Sequence, residues 1–313
     1  MGIYADGKRF FSLNQHLRDT FGEKVFKIAL DGGFTCPNRD GTVAYGGCAF
    51  CSDAGSGDFV QRRCDPLEEQ FARYQSMLHE KWGRGKYIAY FQAFTNTHAP
   101  VPVLRERFER ILREEHVVGL AIATRPDCLP DAVTDYLAQL SQRTFLWVEL
   151  GLQTVFDDTA RAFNRGYDLA VYLEAVERLR KHDIRICTHI INGLPGEDRS
   201  MMMETARTIA KLDVQGIKIQ LLHLLKGTPM VEQYESGMLR FLERDEYISL
   251  VCDQLEILPP DMVIHRLTGD GAHSKLIGPM WSVRKREVLN AIDRVIKERD
   301  SWQGKFYHQD NKT

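Results

Sequence analysis

The chain has 313 residues, enough for one large α/β barrel or two small domains, and its 43% hydrophobic and 27% charged residues fit a globular protein with a sizeable core. A formal net charge of −2 gives no global field that would draw the protein onto nucleic acid, so any RNA contact has to come from a local patch. No stretch approaches the roughly 20 apolar residues of a membrane span, the N-terminus lacks an apolar signal core, and seven cysteines make an odd number for a disulfide framework; together these predict a cytoplasmic protein with reduced thiols and no membrane partner.

Residues 1–24 precede the first predicted strand and read as an N-terminal extension. Apolar, β-branched runs then alternate with amphipathic stretches. Strands are predicted at 25–30, 87–94, 117–124, 145–150, 184–191 and 216–222. Helices are predicted between them at 66–82, 103–115, 130–142, 157–182 and 199–212, the fourth broken near Asn164-Arg165-Gly166. Strands that are continuous apolar runs are buried on both faces, which means a parallel sheet. Six β–α units in series predict an α/β fold, a partial (β/α)6 TIM-like barrel over residues 25–232, with 233–313 as a C-terminal extension packed on it. No Pro/Gly/Ser linker divides the chain.

Three cysteines, Cys36, Cys48 and Cys51, follow the first strand with eleven and two residues between them. Three thiolates are one too few to saturate a [4Fe–4S] cube, so one iron is left for a ligand that is not protein. S-adenosylmethionine (SAM) is such a ligand, bound through its amine and carboxylate. The competing reading is a structural zinc site, for which Cys64 would have to complete the set; Cys64 lies in Gln61-Arg62-Arg63-Cys64-Asp65-Pro66, which reads as a linker.

In barrels of this kind catalytic groups sit at the C-terminal ends of strands. Distinctive strings fall at those ends: Gln92 to His98, Thr124-Arg125-Pro126-Asp127-Cys128, Glu149-Leu150-Gly151-Leu152-Gln153, His189 to Glu197, and His223 to Pro229. Each alone is weak; their order after a cysteine motif on strand one is not.

At these residues the sequence resembles the radical SAM superfamily. The long first cysteine gap and Thr124-Arg125-Pro126-Asp127 are similar to the catalytic subunit of the elongator complex; no acetyltransferase domain is read in these 313 residues, so acetyl transfer is not expected. Asp31-Gly32-Gly33-Phe34, Cys36-Pro37-Asn38-Arg39-Asp40-Gly41-Thr42, Thr97-His98-Ala99-Pro100, Val148 to Thr154 and Ile264 to Asp270 resemble a bacterial family of short radical SAM proteins, over about residues 8 to 302. Within that family the chain resembles the Gram-positive enzyme that turns the 5-carboxymethylaminomethyl group of the tRNA wobble uridine into 5-aminomethyl.

The resemblance implies one [4Fe–4S] cluster on Cys36, Cys48 and Cys51, with SAM on the open iron. It places the Phe50 backbone near the SAM adenine, with Ile191 packed on that base. The strand-two end meets the SAM amine; relatives usually carry glycines where this chain has Gln92-Ala93-Phe94, which leaves Thr95 as the polar partner. Gln153 and Arg165 match a SAM-holding pair of the coproporphyrinogen-type branch, with Arg165 on the SAM carboxylate, and His189 takes the ribose position. Implied partners are the tRNA anticodon arm, an electron donor such as flavodoxin or ferredoxin, and a downstream tRNA methyltransferase.

On the substrate side, His223, Lys226, His265, Arg266 and Asp270 are candidate pocket groups by location, and Cys128 is a candidate for quenching a substrate radical. Cys128, Cys187 and Cys252 read as buried structural thiols, with Cys187, like Cys128, near a strand end and so a second candidate for that quenching role. Basic–aromatic segments (Lys8, Arg9, Phe10, Phe11, His16, Arg18, Phe21 and Lys24; Trp281, Arg284, Lys285, Arg286, Arg294, Lys297 and Arg299) are candidate RNA surfaces. Two further readings remain open: a radical SAM enzyme acting on a tetrapyrrole-like small molecule, and a non-catalytic zinc or iron–sulfur protein.

Overall fold

A computed structural model of the chain describes residues 2–55, 65–269, 271 and 273–308. The first helix, α1 (Leu13–Phe21), begins at Ser12, whose hydroxyl accepts from the Gln15 amide at 3.1 Å, and ends at Gly22 with φ +73°. There follow β1 (Val25–Leu30), α2 (Leu67–Trp82), β2 (Lys86–Phe91), α3 (Val101–Ile111), β3 (Val117–Thr124), α4 (Asp131–Ser141), β4 (Phe145–Gln153), α5 (Asp157–Ala162), α6 (Leu169–Arg180), β5 (Arg185–Asn192), α7 (Arg199–Lys211) and β6 (Gly216–Leu221). The C-terminal part adds β7 (Leu224–Leu225), α8 (Val231–Glu235), α9 (Arg244–Ile257), β8 (Val263–Arg266), β9 (Leu276–Gly278) and α10 (Lys285–Glu298).

Strands β1 to β6 pair with their neighbours in chain order, all parallel. β8 pairs parallel with β6, so the sheet is a curled half-barrel of seven strands where the sequence predicted six. The run Val263-Ile264-His265-Arg266 is too short and too polar at its end to read as a strand. It is held by pairing with β6 on one side and by a bridge from Ile264 to Ser12 on the other. β7 and β9 make a separate antiparallel ribbon.

Several boundaries differ from the sequence reading by a few residues, and three places show a local reason. β2 stops at Phe91, and Phe94 takes φ +61°, outside any strand geometry. β4 runs on to Gln153 through a register shift after Gly151. The helix expected over 157–182 is two helices, α5 and α6, parted at the anticipated Asn164-Arg165-Gly166.

Side chains from alternate strand residues pack outward against the helices, as in Leu120, Ile122, Leu146, Val148 and Leu150. At the N-terminal end of the inner face, Leu17 of α1 packs with Val25, Ile88, Trp147 and Cys187. The inner face opens at the C-terminal end of the strands. No helix among the described residues is long and apolar enough to cross a membrane.

Candidate active site

The cleft at the C-terminal strand ends encloses a cavity of about 170 Å³ and opens to solvent. Cys36, Cys48 and Cys51 all line it and are all free thiols. Their loop is built from backbone bonds: the amides of Arg39 and Asp40 donate to the Cys36 carbonyl, and the Cys51 amide donates to that of Cys48. The break between α5 and α6 is the loop's anchor. Fully buried Asn38 donates from Nδ2 to the Asn164 carbonyl at 2.5 Å, and Asn164 donates back to the Gly47 carbonyl at 2.9 Å. Gly166 has φ +82°, and a Cβ there would lie 2.6 Å from Asn38 Oδ1, so only glycine fits. His98 closes the far side with a 2.9 Å contact to Asp40.

The thiols sit among donors. Asn38 Nδ2 lies 3.7 Å from Cys48 Sγ, and Arg39 donates to the carbonyls of Cys51 and Ser52. A hydrogen bond from Cys51 brings the Cys48 thiol down to about 7 against the effect of burial, with help from Arg125, Asn38 and Arg39. The same bond, with burial, raises Cys51. Among the described residues no three His, Cys, Asp or Glu side chains are grouped as ligands of one metal ion. The three thiols line one cleft, the arrangement that a cluster with an open iron needs. Cys64, the fourth zinc ligand the alternative needs, lies outside the described residues.

Of the residues expected to hold SAM, Phe50, Thr95, Gln153 and His189 line the cleft beside the thiols. Gln153 does so from a left-handed conformation, φ +66°, a strained position for a non-glycine residue next to the β4 bulge. Arg165 corrects the expectation. It is 1% exposed and does not line the cleft. Four of its five N–H groups are bonded within the protein: Nε to the Tyr167 carbonyl, Nη1 to those of Leu152 and Thr154, and Nη2 to Asp157. The cation that does line the cleft there is Arg125, which pairs with Asp127 and donates to the Arg165 carbonyl. Arg165→Ala is expected to lower stability by about 1–3 kcal/mol, because the carbonyls of Thr154 and Tyr167 lose a buried donor. Denaturant unfolding measures this; a variant as stable as its parent but weaker for SAM would restore the direct contact.

Ile191 also lies off the lining, half-buried against the apolar cluster that includes Ala49 and Phe163. His223 bonds Ser282 at 3.0 Å and Lys226 is exposed, and neither lines the cleft. Cys128 is buried 4.0 Å from His98, in a depression behind the cysteine loop. His265 packs edge-on to Trp147 in a groove at the opposite, N-terminal end of the strands, whereas Arg266 lines the cleft. Asp270 lies outside the described residues. Of the N-terminal aromatics, Phe10 is buried, whereas Phe11 and Phe21 are half-buried, Phe21 against Phe145. Trp281 is tied to the Leu242 carbonyl, while Arg284, Arg286, Arg294 and Lys297 remain exposed.

What the sequence reading missed is the floor as a network. Glu149 is fully buried and receives Trp147 Nε1 at 3.0 Å, Lys27 at 3.5 Å, His189 at 2.9 Å and Lys218. Lys218 is 2% exposed and also donates to the Tyr90 hydroxyl at 3.1 Å. Burial pushes Glu149 up, yet Lys218, Lys27 and the His189 bond together hold it well below the usual carboxylate range. Burial brings Lys218 down to about 7, although Glu149 pulls the other way. Burial and then Lys218 bring His189 down to about 4, so its imidazole is neutral at physiological pH. The signal was present in an alternation: Lys218 and Gln220 are polar in the otherwise apolar run of β6, and both point into the cleft.

The sequence profile of the Radical SAM superfamily matches residues 36–209, and that of the Radical SAM C-terminal domain matches 214–298. YtqA of Bacillus subtilis, an uncharacterized protein, is 66% identical over 302 residues, 96% of this chain and 94% of that protein. Elongator complex protein 3 of Dictyostelium discoideum is 30% identical over 158 residues, 49% of this chain and 27% of that protein. Among solved structures, Methanocaldococcus infernus Elp3 lacking its N-terminus aligns with a TM-score of 0.68 at 17% identity, over 89% of this chain and 64% of that one. At that identity the likeness concerns the fold.

Proposed function

The chain belongs to the radical SAM superfamily, and on that premise we propose that it modifies the wobble uridine of tRNA, converting a 5-carboxymethylaminomethyl side chain to 5-aminomethyl. Cys36, Cys48 and Cys51 would hold the [4Fe–4S] cluster, and Phe50, Thr95, Gln153 and His189 would surround SAM. When bound, the cluster and SAM supply a 5′-deoxyadenosyl radical able to take a hydrogen atom from an unactivated carbon. The chain's own residues bind, orient and exclude water. The half-barrel walls shelter the reacting carbon, and the open strand ends admit a flipped-out base. The hydrogen taken is one on the carbon between the arm's nitrogen and its carboxylate, where the nitrogen lone pair stabilises the radical; loss of one electron to an electron-transfer protein would then give an imine, and water would split its C–N bond to leave the 5-aminomethyl group and release glyoxylate.

The observation that carries this reading is the charged floor. Lys218, Arg266 and Glu149 line the same cleft as the thiols, which suits an arm bearing both an amine and a carboxylate. Support for RNA comes from the sequence likeness to the wobble-uridine enzyme. Tyr45, 79% exposed near the cysteine loop, offers a ring for stacking on an unpaired base. A flavodoxin or ferredoxin would deliver the electron, and a tRNA methyltransferase would act on the product. The test is reconstituted enzyme, SAM and reductant with tRNA carrying the 5-carboxymethylaminomethyl group. Mass spectrometry is expected to show that nucleoside falling and 5-aminomethyluridine rising, with 5′-deoxyadenosine formed alongside. SAM cleavage with the nucleoside unchanged removes the substrate and keeps the enzyme class.

A further inference from the structure

We infer that Lys218, with Arg266 beside it, forms a carboxylate-recognition subsite on the floor of the cleft, and that this subsite selects substrates whose reacting arm ends in a free carboxylate. The inference rests on the radical SAM reading of the cleft and names what its floor recognises. Lys218 and Arg266 are register partners on β6 and β8, so their side chains leave adjacent strands side by side. Both line the cleft. Among the described lining residues, Arg39, Arg125, Lys218 and Arg266 are cationic and Glu149 is the one carboxylate. Arg125 is matched by Asp127, outside the lining. Glu149 in turn is shared between Lys218 and Lys27, the latter reaching it at 3.5 Å from β1.

Lys218 and Lys27 therefore share a single carboxylate in a place where burial makes that shortage of negative charge costly. Lys218 shows it: burial and its cationic neighbours Lys27 and Arg266 outweigh Glu149. An arriving carboxylate supplies the missing charge and accepts from donors already held in place by Glu149 and the Tyr90 hydroxyl. Depth decides which anion. Lys218 is the third residue of β6 and 2% exposed, below the strand ends where the thiols sit. A backbone phosphodiester, flanked by two sugars, is too broad to reach it, whereas a carboxymethyl group on a thin arm is not.

The experiment compares an anticodon stem-loop RNA carrying 5-carboxymethylaminomethyluridine with the same RNA carrying the neutral carboxamide. The bare bases, 5-(carboxymethylaminomethyl)uracil and its carboxamide, form a second pair. All are titrated against reconstituted protein with SAM. The parent protein is expected to prefer carboxylate over carboxamide by about tenfold to a hundredfold in both pairs, the worth of one hydrogen bond to a charged group. In Lys218→Gln that ratio is expected to fall close to one, and Lys218→Arg to keep part of it. Equal binding of acid and amide by the parent overturns the subsite. So does a Lys218→Gln protein that loses SAM affinity but keeps the ratio, since the floor would then serve the SAM carboxylate. Discrimination between the bare bases with no gain from the RNA supports the subsite and removes the tRNA reading, so the two fail separately.

Discussion

Replacing any one of Cys36, Cys48 or Cys51 with alanine is expected to abolish the [4Fe–4S] absorbance after anaerobic reconstitution and to bring SAM cleavage down to background. Each thiol lines the cleft and none is tied into a disulfide, so each is available as a ligand. With only three ligands, no spare thiolate on the wall takes over when one is lost. Far-ultraviolet circular dichroism is expected to stay that of the parent, because the loop's anchors are Asn38, Asn164 and Gly166 rather than the sulfurs. Cys64→Ala is the control and should keep both the absorbance and the cleavage. Zinc in the purified protein, lost as fully from Cys64→Ala as from Cys48→Ala, would overturn the cluster.

Much of the frame was legible because it follows from period and burial. Continuous apolar runs announced a parallel sheet, and the break at Asn164-Arg165-Gly166 was visible from its glycine. The purpose of that break was not legible. It docks the cysteine loop, a contact between residues 126 positions apart that no local pattern records. Arg165 was misjudged for the same reason: its place in the sequence suited a SAM ligand, but the carbonyls of Leu152, Thr154 and Tyr167 close around it. Asn96 and Thr97, inside the string at the end of β2, are braces, bonding the carbonyls of Phe91 and Ala123 and the Thr124 hydroxyl. The floor was legible only in part: His189, Arg266 and the string beginning at Glu149 stood out at strand ends, but Lys27, Tyr90 and Lys218 come from β1, β2 and β6, and each alone reads as an exception in an apolar run.

That floor yields the largest expected effect on stability. Glu149→Gln keeps the shape and removes the charge that Lys218 and Lys27 share. Breaking a buried pair from one side costs about 3–5 kcal/mol, because the remaining charge is left uncompensated. Here the cost has a pH signature. Lys218 titrates near 7 in the folded parent and near 10.5 when unfolded. Its folded value is depressed, so the unfolded chain holds the extra proton between those values and stability rises with pH through that window. Without Glu149 the folded value falls further. Below pH 7 the parent's Lys218 is already protonated in both states and loses nothing more as pH drops. The variant keeps losing about 1.4 kcal/mol per pH unit until its own lower value is reached. The deficit of Glu149→Gln is thus expected to be larger at pH 6 than at pH 8 in denaturant unfolding of the reconstituted protein. Adding Lys218→Met should recover much of it, since an apolar replacement removes the stranded charge. A deficit unchanged between the two pH values, or a double variant no more stable than Glu149→Gln, would mean that Lys218 is not the group Glu149 holds in place.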